Sequence, residues 1–196
     1  MARLTYQFGV NEFASINPGD VVIDLGANIG EFTTAVAGLG AIVHAIEGDP
    51  LVFRCLEFNT GNLENVTRHE TVVWKEDTTL TFYSEPTDAN SSIFLPMGDA
   101  PVRELRVRAV RLDTLADQFN IGEVAFLKCD AEGAEPEVIE GGHHLLSRTK
   151  AVAFDTGAER LGEETSSECE ALLRALGFTV HHEVRKGRKI TLGIRH

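Results

Sequence analysis

Residues 21–30, VVIDLGANIG, constrain the fold more than any other part of the chain. Three β-forming residues precede Asp24, and Gly26 and Gly30 bracket a short turn before a helix-forming run at 32–39. This order predicts a buried strand, a tight turn and the amino terminus of a helix. Such a terminus offers free backbone N–H groups and a partial positive charge. It therefore suits a ligand that carries a carboxylate or phosphate beside an adenosine.

Glycine spacing distinguishes two kinds of adenosine ligand. A dinucleotide site requires G-x-G-x-x-G, and alignment on Gly26 places Asn28 and Glu31 at the second and third glycines. Glu31 would bring a carboxylate toward a pyrophosphate, whereas the zwitterionic end of S-adenosylmethionine tolerates an acidic neighbour. Glu47 follows a predicted strand at 41–46, about 20 residues after the turn, where an acid would take the ribose hydroxyls. The spacing therefore favours S-adenosylmethionine.

Three segments resemble the FkbM family of S-adenosylmethionine-dependent class I methyltransferases. They are VVIDLGANIGEFT at 21–33, IEGDP at 46–50 and FLKCDAEGAEPEVIEGG at 126–142. The likeness extends from about residue 13 onward, and K-x-D-x-E-G-A-E is its more specific part. It implies a Rossmann-like, mostly parallel sheet with strand order 3-2-1-4-5-7-6. It also implies S-adenosylmethionine as cofactor and S-adenosylhomocysteine as product.

Length and charge set bounds on the organisation of the chain and on its partners. With 196 residues, one domain at 1–196 is expected, in which 1–17 form a short amino-terminal segment. A net charge of −12 argues against nucleic acid or an anionic membrane as the main partner. No apolar run approaches a membrane span or a signal peptide, so a cytoplasmic location is expected. Three widely spaced cysteines predict neither a disulfide framework nor structural zinc.

Strands and helices alternate along the chain, which predicts an α/β fold with a doubly wound parallel sheet. A short helix is expected within 11–16, and residues 84–101 have the composition of a binding or lid loop. Further strands are predicted at 71–74, 80–83, 105–109, 124–129 and 151–154, and an antiparallel closing hairpin at 178–184 and 189–194. Further helices are predicted at 50–62 (capped by Asp49), 114–119 (capped by Asp113), 136–146 and about 165–176.

Acidic residues at the carboxyl ends of strands supply the candidate site, since ligands of such sheets bind where the strand order reverses. The predicted cofactor-binding residues are Asp24, Gly26, Ala27, Asn28, Gly30, Glu47, Trp74 and Asp130. The predicted catalytic residues are Asp130 as general base, with Glu132 and Asp155 as further candidates. Their structural alternatives are a cofactor ligand for Asp130 and a turn former for Glu132. Lys128 is expected to pair with Asp24 in a structural role.

No metal site is predicted. Asp130 and Asp155 could hold Mg²⁺ in the manner of catechol-type O-methyltransferases, but two carboxylates are few for an octahedral ion. The pairs His143–His144 and His181–His182 are adjacent in sequence, so their rings point in different directions and do not form a ready chelate. The family resemblance also implies a histidine two residues after the acid of the fifth strand. Here Asp155 is followed by Thr156 and Gly157, which leaves the family's role at that position open.

The predicted function is transfer of a methyl group to a small-molecule acceptor, through the hydroxyl of a sugar or natural product. Two alternatives are a nicotinamide-dependent oxidoreductase and a methyltransferase-like domain that binds cofactor without turnover. Four arginines leave open a local site for an acidic sugar: Arg103, Arg106, Arg108 and Arg111. Neither the acceptor nor the oligomeric state can be derived from the sequence.

Overall fold

A computed structural model describes residues 2–85, 91–95 and 101–195. Its strands are β1 (Val21–Leu25), β2 (Ile42–Glu47), β3 (Val66–Glu70), β4 (Val72–Val73), β5 (Thr78–Ser84), β6 (Arg103–Val110), β7 (Val124–Cys129), β8 (Thr149–Asp155), β9 (Thr179–Arg185) and β10 (Arg188–Ile194). Its helices are α1 (Ala2–Gln7), α2 (Glu31–Ala37), α3 (Pro50–Thr60), α4 (Leu112–Gln118), α5 (Glu135–Glu140), α6 (His143–Ser147) and α7 (Ser166–Ala175). None of these helices is long and apolar enough to cross a lipid bilayer.

Seven strands form the main sheet, in the order β3-β2-β1-β7-β8-β10-β9. The first five in this order are parallel neighbours, and β10 pairs antiparallel with both β8 and β9. Numbered within this sheet, the order is 3-2-1-4-5-7-6, so the predicted doubly wound sheet and its closing hairpin are confirmed. Apolar clusters cover both faces, as the continuous burial of the central strands requires.

The third strand of the main sheet is not where the sequence predicts it. The prediction places it at 71–74, but β3 is the polar segment VTRHE, and only two of its residues are buried. Val72 and Val73 instead enter a separate small sheet of order β4-β6-β5. An edge strand buries few side chains, so its sequence lacks the apolar signal that marks the central strands.

Two helix predictions are also wrong at a boundary or a cap. The predicted helix at 136–146 is broken into α5 and α6 at Gly141, where a Cβ atom would lie 2.3 Å from the carbonyl oxygen of Trp74. Asp113, predicted to cap α4, lies inside that helix, and its carboxylate accepts hydrogen bonds from the backbone of His144 and Leu145 at 3.2 and 2.9 Å. The carboxylate therefore caps α6, which is remote in sequence.

The amino-terminal segment differs from the expected helix at 11–16. Its helix is α1, and the chain then turns through Gly9 and Asn11, both with positive φ. This arrangement packs the ring of Phe8, which is 1% exposed, edge-on against Phe32 at a centroid distance of 5.9 Å. Asp49 caps α3 as predicted, because its Oδ1 accepts from the backbone of Leu51 and Val52.

Candidate active site

A cavity of about 240 Å³ opens at the carboxyl ends of β1, β2 and β7, where the strand order reverses. Its volume lies near the lower end for small-molecule sites, about 300 Å³. Its lining combines polar and charged side chains with apolar ones, including Phe8, Ile46 and Val72. The predicted residues that line it are Gly26, Ala27, Asn28, Glu47, Asp130 and Glu132. Asp24, Gly30, Trp74 and Asp155 are not among the described lining residues.

Gly26 allows β1 and β7 to converge beneath the cavity. It has a φ of +67°, and a Cβ atom there would lie 1.9 Å from the carbonyl oxygen of Asp130. The Asp130 amide in turn donates to the Leu25 carbonyl at 3.1 Å. Gly30 serves a different contact, since its Cβ would lie 2.9 Å from side-chain atoms of both Leu56 and Thr60. Gly30 therefore allows α2 to approach α3.

Lys128 holds the glycine turn from below, in agreement with its predicted structural role. Its ammonium lies 3.1 Å from the Asp24 carboxylate and donates to the carbonyls of Leu25 and Gly26 at 3.0 and 2.6 Å. Burial opposes the charge, but the carboxylates of Asp24 and Asp130 together outweigh it and raise the pKa of Lys128. The second Asp24 oxygen accepts from the Thr33 hydroxyl at 2.6 Å. Asp24 thus stabilises the turn from the core, with no exposed surface.

Glu47 ends β2 and presents a buried carboxylate to the cavity. Its two oxygens accept hydrogen bonds from the backbone of Asn28 at 2.9 Å and Asp49 at 2.8 Å. Asn28 has a φ of +51°, which turns its amide toward this carboxylate. Burial raises the pKa of Glu47 to about 7, although the two backbone donors oppose the shift. The carboxylate is fixed in orientation and keeps lone pairs for further donors.

The turn after β7 is held from several sides. Glu132 has a φ of +49°, and its carbonyl accepts from the Ser92 hydroxyl at 2.8 Å. Glu135, fully buried, accepts from the amides of Ala131 and Gly133 at 3.0 and 3.1 Å. The sequence prediction missed this role of Glu135, although its motif K-x-D-x-E-G-A-E ends on it. The contacts keep Asp130 and Glu132 at the cavity in a conformation that a free loop would rarely adopt.

Arg188 joins the candidate acids and is the main site residue that the sequence prediction missed. It begins β10 and lines the cavity. Its guanidinium donates to Asp130 Oδ2 at 3.0 Å and to Glu159 Oε1 at 3.1 Å, and it lies 2.9 Å from Asp155 Oδ2. Glu132 lies further away, at 3.9 Å. The predicted catalytic residues are therefore linked through one cation, with Asp155 behind Arg188 and away from the cavity lining.

This acidic cluster has the spacing of a metal site. Asp130, Asp155 and Glu159 each offer an oxygen, and the three oxygens lie within 4.8 Å of one another. The sequence offers only the first two as Mg²⁺ ligands. Glu159 comes from the loop after β8, and nothing in the local sequence indicates that it returns to this site. In the structure, the position between Asp130 and Asp155 is taken by the Arg188 guanidinium.

Burial and mutual repulsion raise the pKa of several of these acids. The pKa is about 9 for Glu159, about 8 for Glu132 and about 6 for Asp155, with desolvation as the largest cause and neighbouring carboxylates next. Each pKa is above the ordinary value of its side chain, so the folded state binds more protons than the unfolded state at neutral pH. The free energy of unfolding of the protein is therefore expected to fall as the pH rises from about 5 to about 9.

Glu159→Gln is expected to stabilise the protein, because glutamine resembles the protonated carboxyl and adds no charge to the cluster. We expect the midpoint of thermal unfolding at pH 7 to rise by about 5 °C and its decline toward pH 9 to become shallower. Glu163→Gln is the matched control, since it makes the same substitution at an exposed position in the same loop. Equal shifts in both variants would show that net charge, rather than this cluster, governs the effect.

The remaining predicted residues lie outside the cavity lining. Trp74 packs in the small sheet's cluster with Val72 and Phe82, and its amide donates to the Val110 carbonyl at 2.9 Å. The four arginines considered for an acidic sugar lie on or directly after β6, and none is among the described lining residues. Residues 86–90 and 96–100 of the predicted lid loop lie outside the described residues. Its residues 91–93 do line the cavity.

The sheet order and the cavity at its reversal point define a class I methyltransferase fold. Three solved structures share it. Fibrillarin from Aeropyrum pernix, in complex with S-adenosyl-L-methionine, matches with a TM-score of 0.60 and 12% identity over 97% of this chain and 72% of its own. The fibrillarin pre-rRNA processing protein of Methanococcus jannaschii matches with a TM-score of 0.57 and 16% identity, over 92% of this chain and 68% of its own. Magnesium protoporphyrin IX methyltransferase from Synechocystis matches with a TM-score of 0.52 and 15% identity, over 91% of this chain and 71% of its own.

Within this class, the methyltransferase FkbM domain family matches residues 24–180. The chain therefore belongs to the FkbM methyltransferase family, which confirms the resemblance found in the sequence. A characterised relative is the 31-O-demethyl-FK506 methyltransferase FkbM of Streptomyces tacrolimicus. It is 27% identical over 200 residues, which cover 84% of this chain and 75% of the relative.

Proposed function

We propose that this chain transfers the methyl group of S-adenosylmethionine to a hydroxyl of a small molecule. Family membership supports the transfer chemistry, and the relative's name denotes methylation of 31-O-demethyl-FK506. The observation that carries the acceptor side is Asp130. It lines the cavity, and its Oδ1 is buried without a hydrogen-bond partner among the described residues. A buried carboxylate oxygen without a partner is a free proton acceptor.

The residues of the cavity are suited to S-adenosylmethionine. Gly26 removes the side chain that would block close approach of a ligand to the backbone. Glu47 holds a fixed carboxylate for ribose hydroxyls, and its pKa of about 7 keeps a large ionised fraction at neutral pH. Apolar side chains such as Val72 and Ile93 offer a surface for a flat ring. The cofactor, when bound, supplies a methyl group on a sulfonium whose sulfur leaves as a neutral thioether.

Asp130 is assigned the proton of the acceptor hydroxyl. As the oxygen–carbon bond forms, that proton passes to Oδ1, while Arg188 continues to hold Oδ2 at 3.0 Å. Lys128 and Asp24 hold the turn so that the cofactor side does not move. Positioning of two reactants in line supplies several kcal/mol of the barrier. Phe8 and the segment 91–93 are placed to exclude water from the cavity.

The charge of the site favours a neutral acceptor over the acidic sugar considered from the sequence. Four acidic side chains already surround the Arg188 guanidinium, and the arginines of β6 are not among the described lining residues, so an anionic acceptor would find no unpaired arginine in the described lining. A small molecule is proposed in preference to nucleic acid on the same ground, together with the net charge of −12. A neutral hydroxyl compound carries no charge to be repelled.

Calorimetry with S-adenosylhomocysteine tests the cofactor half of this proposal. Binding at micromolar concentration is expected, and no heat of binding at high micromolar ligand would reject it. Transfer of radiolabelled methyl to 31-O-demethyl-FK506, and to extracted pools of neutral glycosides, tests the acceptor half. A protein that binds cofactor but labels none of these compounds would support the alternative of a domain without turnover.

Cofactor affinity is expected to depend on the ionisation of Glu47. Its pKa of about 7 means that affinity for S-adenosylhomocysteine should be about tenfold weaker at pH 6 than at pH 8, if only the ionised form accepts from the ribose. Glu47→Ala should cost about 1.5–3 kcal/mol of binding, and Glu47→Gln should remove the pH dependence. Glu70→Gln is the control, since Glu70 is the exposed residue opposite Glu47 on β3. A pH dependence that persists in Glu47→Gln would assign it to another group.

A further inference from the structure

Arg188 makes contacts that a surface hairpin residue does not ordinarily make. It immediately follows the turn at 186–187 between β9 and β10, yet its guanidinium reaches carboxylates on three segments. Asp130 follows β7, Asp155 ends β8 and Glu159 belongs to the loop beyond. Its Nη1 lies between two of them, 3.0 Å from Asp130 Oδ2 and 2.9 Å from Asp155 Oδ2. A planar guanidinium can bridge several carboxylates, which a lysine ammonium does less well.

The buried negative charge of Asp155 explains why the site needs the ion pair with Arg188. Asp155 is fully buried, and its Oδ2 has no hydrogen bond among the described residues, so the ion pair with Arg188 is its compensation. Uncompensated burial of a carboxylate is strongly unfavourable. Burial lowers the pKa of Arg188, but the acids around it, with Asp130 first, raise it overall. The guanidinium thus stays charged, and it fills the place that the spacing of the acids would otherwise leave for a metal cation.

We propose that Arg188 is a positioning residue that acts as the resident cation of the acceptor side. It fixes Asp130 through Oδ2 and leaves Oδ1 without a hydrogen-bond partner among the described residues, while it also pairs with Asp155 and Glu159. Neither the sequence motifs nor the family match, which ends at residue 180, includes this residue. The assignment of Asp130 as base rests on the proposed function. The role of Arg188 in the carboxylate cluster does not.

The test follows the Asp155 carboxyl carbon by NMR in protein labelled with ¹³C-aspartate, without cofactor. In Arg188→Ala the midpoint of its titration is expected to rise by about 1–3 pH units, because the nearest opposite charge is gone. Millimolar guanidinium chloride should return the midpoint toward the wild-type value. Lys186→Ala is the matched control, since Lys186 is an exposed cation two residues away on the same hairpin, and it should leave the midpoint unchanged.

An unchanged midpoint in folded Arg188→Ala would overturn the proposal. Arg188→Lys carries the test if the alanine variant does not fold, and an intermediate midpoint is expected because an ammonium cannot pair with all three acids. Affinity for S-adenosylhomocysteine should change by less than about threefold in either variant, as a residue that does not bind the cofactor predicts. A large loss of affinity for S-adenosylhomocysteine, with the midpoint of the Asp155 titration unchanged, would make Arg188 a cofactor ligand instead. Failure of the wild type to bind S-adenosylhomocysteine would reject the proposed function and leave the titration result standing.

Discussion

Asp130→Asn is expected to lower kcat for methyl transfer by about 10²–10⁴-fold while it changes affinity for S-adenosylhomocysteine by less than about threefold. Asparagine keeps the shape of the side chain but cannot take the acceptor proton. Asp130 lies at the cavity with one oxygen held by Arg188 and the other without a partner among the described residues. Single-turnover kinetics and calorimetry on the same preparation measure the two quantities separately.

Glu132→Gln is the comparison for this variant, because Glu132 lines the same cavity and lies 3.9 Å from the same arginine. It should retain most of the activity. If Glu132→Gln loses activity and Asp130→Asn does not, Glu132 is the base. If kcat and cofactor affinity fall by a similar factor in Asp130→Asn, Asp130 is a cofactor ligand only, and the base must be sought at Glu132.

Gly26→Ala is expected to have the largest effect on the folded protein. Its Cβ would lie 1.9 Å from the Asp130 carbonyl oxygen, and its φ of +67° is unfavourable for alanine. To relieve the contact, the ends of β1 and β7 must separate, which opens the floor of the cavity. We expect a loss of about 3–5 kcal/mol in stability, a fall in the thermal midpoint of about 10 °C, and no measurable binding of S-adenosylhomocysteine.

Gly19→Ala separates the two causes of the loss expected in Gly26→Ala, which are the steric contact with Asp130 and the unfavourable backbone conformation. Gly19 also has a positive φ, of +87°, but a Cβ atom at this position would have none of the described residues within 4 Å beyond its chain neighbours. This variant should lose only about 1 kcal/mol, the cost of the backbone conformation, and should bind the cofactor normally. A comparable loss in both variants would mean that backbone strain alone explains Gly26, and that the contact with Asp130 relaxes freely.

The part of the candidate site to which we assign the cofactor, the glycine turn and Glu47, could be placed at one sheet edge from the sequence because its signals are local. The turn at 26–30 joins one strand directly to one helix, and Glu47 ends the next strand, so a short window contains both. The partner of Lys128 was also predictable, since two buried opposite charges on neighbouring strands have few other ways to be compensated. The strand order came from the family resemblance, and the structure confirms it.

The contacts of the part to which we assign the acceptor could not be predicted, because they join distant segments through charged side chains. Arg188 has the appearance of a hairpin residue, and only the insertion of β10 beside β8 brings it to Asp130, 58 residues earlier. Glu159 is brought in by the same arginine. The edge strand β3 was not predicted for a related reason. It is defined by its pairing with β2 and not by a pattern of apolar residues in its own sequence. Asp113 shows the same limit, because the Leu145 amide that it caps lies 32 residues further along the chain.

The contribution of Arg188 also sets an order of events as the protein is made. Among the described residues that line the cavity, all others lie at or before Val138. The rest of the described lining is thus encoded by the part of the chain that leaves the ribosome first. The acidic cluster of Asp130, Asp155 and Glu159 gains its paired cation only when the hairpin forms and β10 inserts between β8 and β9. The acidic cluster can therefore gain its cation only after residue 188 has been synthesised, so the proposed acceptor side is the last part of the candidate site to be completed.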